Sequence, residues 1–447
     1  MGIVRSLEEM RSALLALAWP GGQEPSGRTQ VVMFAKPADF DRAVTLGAMA
    51  AGVAFSQPGQ ERVMSFSTGA EGGVPRFALH ELVHNLSHWF MPMQPPWFAE
   101  GLAVYLESVR LDREAGVALM GDMSATSVEW MNRTKVLMRS SKLFSAKSYH
   151  SNDDMERSSF YSSSWFLVHY LLNEQGEAFG QFQRGLSRRV PWKRAWQEAF
   201  PTTTNDQLDQ DVLTYSRRGK FFEVGAKVTL PVFEPSERVL SPAEVHGVRA
   251  RLASAFGREK SEADMRAALE LDANELNALV VQFQAAEPGS SIRSEIAARA
   301  VAAHPKSAEA WLLQAWASES GEPRQKAAEQ AAQFAPDHPG VSWLLAEGEL
   351  QRNRPNGVLR HVRHAQRSSA PAPDMLSLEI AALRILGRCT EAQEIAISAD
   401  DLFSECRMTV QGRQEQVPCS EALWNAYRPA EARCQAALPT GSAGKRP

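Results

Sequence analysis

Apolar and polar residues repeat with two different periods over roughly the first 220 residues, and these periods predict a mixed α+β region. The short apolar, β-branched run Gln30–Phe34 is typical of a strand, and Arg62–Phe66 is predicted to be another strand. Elsewhere the apolar residues lie three and four positions apart, which places them on one face of a helix. The predicted helices are Ser6–Trp19, the segment from Pro75 to a break at Pro92–Pro96, then Pro96–Leu106, Ser127–Arg139, Phe160–Asn173, Glu177–Arg188 and Asp206–Ser216. We expect Ser6 to cap the first helix, with Glu9 completing a capping box.

After Pro231–Pro242, a proline-rich linker, the pattern becomes helical and rich in alanine. Four similar sequence segments follow. In each one a predicted helix ends in a turn, and the next helix begins near a Leu or Trp. They begin at Ala268, Ala300, Ala331 and Ala365. A spacing of roughly 31–35 residues is typical of helix-turn-helix solenoids. The pattern resembles tetratricopeptide (TPR) repeats over about 245–388, and an ordinary Ala-rich helical domain is the alternative.

Composition and charge indicate a globular protein of more than one domain. The chain has 447 residues, of which 44% are apolar and 22% are charged, and its net charge is −4. Without a basic stripe, nucleic acid is not an expected partner. No apolar run reaches the ~18 residues that a membrane span needs. We predict no secretory signal either, because Glu8, Glu9 and Arg11 interrupt the apolar stretch near the N-terminus.

All four cysteines lie near the C-terminus, at Cys389, Cys406, Cys419 and Cys434. An even number in a short segment is consistent with two disulfides, which would favour a periplasmic or secreted location. Four unpaired thiols in a cytosolic tail are the alternative. We therefore expect three regions: an α+β domain over 1–235, an all-α repeat domain over 236–388, and a Cys-containing segment over 389–447.

The sequence His80-Glu81-Leu82-Val83-His84 lies within a predicted helix. Two histidines four residues apart share one helix face at about 6 Å, so both rings can reach one tetrahedral metal ion. Glu81 projects near that face, where a carboxylate can take a proton from water activated by the metal. The motif therefore predicts a catalytic Zn²⁺ site with Glu81 as the general base.

A catalytic zinc needs a third protein ligand, and His88 and Glu100 are the two candidates. On a continuous helix His88 lies about 12 Å along the axis from His80, which is too far for one ion. Glu100 opens the helix after Pro92–Pro96, and that break lets the helix fold back toward the histidines. We expect Gly101 to permit the close approach of these two helices.

The H-E-L-V-H motif and the later P-P-W-F-A-E-G-L-A-V-Y-L-E segment together resemble the gluzincin metallopeptidases, particularly the peptidase-MA-like group. The resemblance implies that Glu100 is the third zinc ligand. The segment Y-S-S-S-W-F-L-V-H-Y-L-L, beginning at Tyr161, is similar to the Y-x-K-G-x-x-x-L-x-Y-L segment of gluzincin aminopeptidases. That likeness implies an oxyanion-stabilising role for Tyr161, although Ser163 and Ser164 replace the K-G pair. A tyrosine that merely packs in the helix is the alternative.

These features predict a zinc-dependent metallopeptidase that hydrolyses peptide bonds with metal-activated water and Glu81 as general base. The aminopeptidase G-x-M-E-N motif has no counterpart, so the sequence gives no support for exopeptidase action and leaves endo- and exopeptidase activity both open. We expect a peptide or protein substrate, paired along Arg62–Phe66 as an edge strand, and a protein partner on the repeats. One alternative is a TPR-type scaffold with an inactive or structural zinc fold. Another is a zinc hydrolase that acts on a non-peptide bond.

Overall fold

The computed structural model describes residues 2–44, 52–67, 76–146, 153–218, 221–403, 406–410, 413–427 and 433–434. The chain forms two compact units. Unit 1 comprises residues 1–25, 72–235 and 394–422, and unit 2 comprises 26–71, 236–393 and 423–447. The predicted boundary after residue 235 coincides with the end of one segment of unit 1. Residues 26–71 belong with the repeats, however, and 394–422 belong with unit 1.

Helices dominate the described residues. In the first half of the chain they are α1 Gly2–Ala18, α2 Pro37–Ala43, α3 Arg76–Phe90, α4 Pro96–Leu106, α5 Ala125–Thr134, α6 Ser140–Ser145, α7 Asp154–Glu174, α8 Gly176–Ser187, α9 Trp192–Ala199 and α10 Asn205–Arg218. In the second half they are α11 Pro242–Ser254, α12 Arg258–Leu271, α13 Leu276–Ala285, α14 Ser291–Ala303, α15 Ala308–Ala317, α16 Glu322–Phe334, α17 Pro339–Gln351, α18 Pro355–Ser368, α19 Pro373–Leu386, α20 Cys389–Leu402 and α21 Cys419–Ala426.

The strands of the described residues form three small sheets. They are β1 Thr29–Phe34, β2 Gly52–Phe55, β3 Arg62–Ser67, β4 Arg110–Asp112, β5 Val117–Met120, β6 Val224–Lys227, β7 Cys406–Val410 and β8 Arg413–Val417. The first sheet has the order β1-β3-β2, the second β4-β5-β6, and the third pairs β7 with β8. The second sheet is antiparallel throughout and was not predicted, because its strands are only three or four residues long.

The predicted edge strand is in fact the centre of its sheet. β3 pairs in parallel with β1, where Thr29 lies opposite Arg62, and antiparallel with β2, where Gly52 lies opposite Phe66. Both rows of its backbone groups therefore face a neighbouring strand. The expectation that Arg62–Phe66 pairs with an extended substrate is wrong.

The N-terminal cap was also mispredicted. α1 begins at Gly2, so Ser6 lies inside the helix and cannot cap its start. The helix includes the apolar residues Ile3 and Val4 and therefore starts before Ser6, the polar residue that was predicted as its cap. Glu9 is not part of a capping box here. Its carboxylate accepts a hydrogen bond from Nε of Arg113 at 2.8 Å.

Aromatic packing between helices forms the core of unit 1. The ring of Trp97 on α4 stacks on Phe182 of α8 with centroids 5.8 Å apart, and Phe98 contacts Phe179 at 5.7 Å. All four side chains are fully buried. The turn before α7 is held by Asp153, whose carboxylate accepts from the backbone N–H of Met155 at 2.8 Å. The aromatic packing thus fixes α4 against α8.

Unit 2 contains the expected repeat-like region. α11/α12, α13/α14, α15/α16 and α17/α18 form successive helix pairs whose members pack on one another. Alanines fill the contacts within and between pairs, for example Ala297, Ala300 and Ala310 in one buried cluster. α11 begins at Pro242, the last residue of the predicted linker, and Ser241 caps it with a complete capping box.

The four cysteines form two disulfides. Cys406 pairs with Cys419 in unit 1, and Cys389 pairs with Cys434 in unit 2. Disulfides of this kind persist in oxidising compartments. Within the described residues, no helix combines the length and the apolar character that a membrane span requires.

Candidate metal centre

α3 places the two histidines of the motif side by side. Leu79, Leu82 and Val83 face the interior of unit 1 and are buried, which leaves the opposite side of the helix to the polar residues. On that side the His80 and His84 rings lie 4.7 Å apart between centroids. Both side chains are mostly buried, with 15% and 23% of their surfaces exposed. The predicted position of Pro75 as the first helical residue lies outside the described residues.

The turn between α3 and α4 brings Glu100 back to the histidines. Gln94 in this turn donates from Nε2 to Oγ of Ser87 at 3.0 Å, and the Ser87 hydroxyl donates to the backbone carbonyl of His84 at 3.4 Å. Pro95 is the N-cap of α4, with Pro96 at its first position. The turn is thereby anchored to the helical turn that carries His84.

Three ligand atoms converge at this point. Nε2 of His84 lies 3.1 Å from Nε2 of His80. Oε2 of Glu100 lies 3.2 Å from Nε2 of His80 and 3.3 Å from Nε2 of His84. Tetrahedral zinc with bonds of ~2.0–2.1 Å separates neighbouring ligands by ~3.3 Å. The three atoms therefore match one face of such a tetrahedron. Two imidazoles and one carboxylate are also a donor set that suits zinc, so this group could hold a metal ion.

Glu107 also belongs to the candidate site, although it was not predicted from the sequence. Its Oε2 lies 3.0 Å from Nδ1 of His80, at the end of α4. With the proton on Nδ1, His80 donates to this carboxylate, and its Nε2 lone pair points toward His84 and Glu100. Carboxylate–histidine pairs of this kind orient metal ligands in many zinc sites. A signal was present, because Glu107 lies seven residues after Glu100 and thus on the same helix face.

The electrostatics of the site favour positive charge. Burial lowers the pKa of His80, but hydrogen bonds to Glu100 and Glu107 and the charges of Glu100 and Glu81 outweigh it and raise that pKa to about 10. Burial raises the pKa of Glu100, but the charges and hydrogen bonds of His84 and His80 move it far below the ordinary value. The carboxylates thus create a negative potential that a cation at the ligand atoms would neutralise.

Gly101 has a different role from the one we predicted. A Cβ atom at this position would lie 2.4 Å from the backbone oxygen of Ser164 and 2.7 Å from Cγ2 of Val168, both on α7. The close approach is therefore between α4 and α7, not between α4 and α3. Ser164, one of the two residues in place of the family's K-G pair, is the small residue at this crossing. Ser163 lies on another side of α7, where its Oγ accepts from the backbone N–H of Met138 at 2.7 Å.

This helix crossing brings Tyr161 next to the motif. Its ring centroid lies 6.2 Å from that of His80, at an interplanar angle of 56°. Tyr161 is only partly buried, whereas the residues that follow it on α7 are buried. The five predicted site residues all lie in unit 1: His80, Glu81 and His84 on α3, Glu100 on α4 and Tyr161 on α7.

The remaining histidines near the motif have other surroundings. His88 is not part of the three-residue ligand group found among the described residues. His169 is fully buried and packs against the rings of Tyr105 and Trp165. His150 lies outside the described residues.

One comparison with known families gives a match. A family described as "Protein of unknown function (DUF1570)" matches residues 74–193, roughly a quarter of the chain. The matched segment contains α3, α4 and α7, and thus every candidate site residue, but none of the repeats. No curated protein and no solved structure matches the chain. The match shows that the candidate site lies within a recognised family segment, whose description names no activity.

Proposed function

We propose that this protein is a zinc-dependent metallopeptidase of the gluzincin type, with His80, His84 and Glu100 as the metal ligands. The observation that carries the proposal is the convergence of their three ligand atoms within 3.1–3.3 Å. The hydrogen bond between Glu107 and His80 adds support, because a carboxylate that orients a histidine is typical of zinc sites and is not expected in a chance cluster. Zinc held there would act as a Lewis acid, which polarises a peptide carbonyl and makes water a stronger nucleophile.

Glu81 has the role of general base in this proposal. It follows His80 on α3 and is near enough to contribute to the electrostatic field at that ring. Its carboxylate takes the proton of the attacking water and then delivers it to the nitrogen of the leaving amine. Such proton transfer typically contributes about 10²–10⁴-fold to the rate.

Tyr161 has the role of a hydrogen-bond donor to the oxygen that gains negative charge in the transition state. Its position beside His80, on a helix fixed by the crossing at Gly101, supports this assignment. Donors held in place by the fold act strongly because they need no reorganisation during the reaction. The two disulfides further support a periplasmic or secreted location for the enzyme.

The test is hydrolysis of a protein substrate by purified full-length protein loaded with zinc. Unfolded casein and a mixture of internally quenched peptides are suitable probes, with Glu81→Gln as the matched variant. We expect cleavage by the wild type, and we expect Glu81→Gln to retain zinc while its rate falls by about 10²–10⁴-fold. Equal rates in the two proteins would refute the role of Glu81. An inactive wild type with full zinc occupancy would instead favour the scaffold alternative.

A further inference from the structure

The first helices of the repeat pairs lie side by side in unit 2. α11 contacts α13, α13 contacts α15, α15 contacts α17, and α17 contacts α19. We call the surface formed by these helices the first-helix face. Solenoid repeats bind their partners on extended surfaces of this kind, so what lies on this face decides which partners it can accept.

The turn between β2 and β3 lies on the first-helix face. The backbone N–H of Gln60 donates to the carbonyl of Gln57 at 2.9 Å and closes the turn. Gly59 has φ +70°, and a Cβ atom there would lie 3.0 Å from Cε3 of Trp343 on α17. A Cβ atom at Gly340 would lie 2.6 Å from the Gly59 carbonyl oxygen. Both glycines are therefore needed for this close approach.

Polar contacts fix the two ends of the turn. Arg251 on α11 donates from Nη2 to Oε1 of Gln60 at 2.9 Å, and it also donates to Glu309 of α15 at 2.6 Å. Burial alone would raise the pKa of Glu309, but the charge of Arg251 outweighs burial and lowers that pKa below its ordinary value. The pair therefore remains ionised. At the other end, the backbone N–H of Ala370 donates to Oγ of Ser56.

The turn occupies only part of the face. A cavity of about 210 Å³ lies beside Gln60, lined mainly by apolar side chains that include Phe283, Leu312 and Trp316. The turn therefore lies in a groove that continues past it. The partly buried guanidinium of Arg251 binds one carboxamide, and two glycines allow the backbones to approach closely. Together these contacts select a short sequence.

We propose that the first-helix face recognises a Pro-Gly turn followed by a carboxamide, and that Ser56–Glu61 of the same chain supplies this ligand. The expected partner surface of the repeats is then already occupied between α11 and α17. A second protein binds there only when it presents the same kind of turn and displaces the internal one. This inference is independent of the metal centre.

Peptide binding to the full-length protein tests the proposal. The probe is a fluorescein-labelled peptide of residues 52–66, cyclised as a hairpin because β2 and β3 pair antiparallel. Gly59→Val adds a side chain against Trp343 and displaces the internal turn. The matched control is Gly289→Val, since Gly289 also has a positive φ, +76°, but no atom near its added Cβ.

We expect Gly59→Val to bind the peptide at least tenfold more tightly than either the wild type or the Gly289→Val control. Adding Arg251→Met to Gly59→Val should abolish the gain. Equal affinity of the peptide for the wild type and for Gly59→Val would overturn the proposal. It would also be overturned if Gly59→Val had the helix content of the native protein but did not bind the peptide. Should Gly59→Val fail to fold, Gln60→Ala replaces it. This variant removes only the carboxamide, and peptide binding no tighter than that of the wild type would then also overturn the proposal.

Discussion

Removal of the Glu107 carboxylate tests how the fold prepares His80 for a metal. In Glu107→Ala the Nδ1–H group of His80 loses the acceptor that now lies 3.0 Å away, so the ring is free to turn or to change tautomer. Loss of such a partner weakens metal binding by about 10–100-fold, which corresponds to about 1.4–2.7 kcal/mol. Glu107→Gln keeps an oxygen that can accept the bond but loses the charge. We therefore expect a smaller effect, of less than about tenfold.

The assay is a competitive zinc titration against a chromophoric chelator at constant pH. Glu129→Gln is the matched control, since Glu129 is an exposed carboxylate on α5 that is not part of the ligand group. Its zinc affinity should equal that of the wild type. The helix itself should persist in every variant, because the Glu107 backbone N–H still donates to the carbonyl of Ala103. A Glu107→Ala affinity within twofold of the wild type would refute the proposed orientation of His80.

Three further predictions concern other residues of unit 1. His84→Ala and Glu100→Ala should reduce zinc from about one ion per chain to a trace, whereas His88→Ala should retain it; metal analysis showing the reverse would refute the ligand assignment. Tyr161→Phe should lower kcat on a peptide substrate by roughly 10–1000-fold with little change in KM, and activity within a few fold of wild type would indicate that the ring only packs. Burial lowers the pKa of His169 to about 4 in the folded protein, so the unfolded chain, with a value near 6.5, takes up the proton first as the pH falls. The stability from this group is complete above about pH 6.5 and decreases by up to about 3 kcal/mol toward pH 4. Urea unfolding of His169→Gln should depend less steeply on pH over that interval, and an unchanged slope would contradict the assignment.

Local patterns predicted which three side chains come together in the candidate metal centre. The i, i+4 spacing of His80 and His84 is a property of any helix, and the proline-rich break before α4 limits where Glu100 can lie. The long helices α7, α8 and α10 agree with their predicted ranges to within a few residues at most ends. Each of these features depends on residues close together in the sequence.

Contacts between distant segments were not predictable from such patterns. Gly101 signals a close approach, but nothing in its neighbourhood specifies α7 as the partner. Arg62–Phe66 was correctly identified as a strand, yet its central place depends on pairing with both β1 and β2. The return of residues 394–422 to unit 1 is held by pairs such as Lys193 with Asp401 at 2.8 Å, between residues far apart in the chain.

The most direct test of the proposed metal centre is anomalous diffraction at the zinc absorption edge from crystals of the purified wild-type protein. We predict one strong peak in each chain, ~2.0–2.2 Å from Nε2 of His80, Nε2 of His84 and a carboxylate oxygen of Glu100. Absence of any peak from crystals grown with zinc, or a peak bound by other residues while these three remain hydrogen-bonded to one another, would contradict the account.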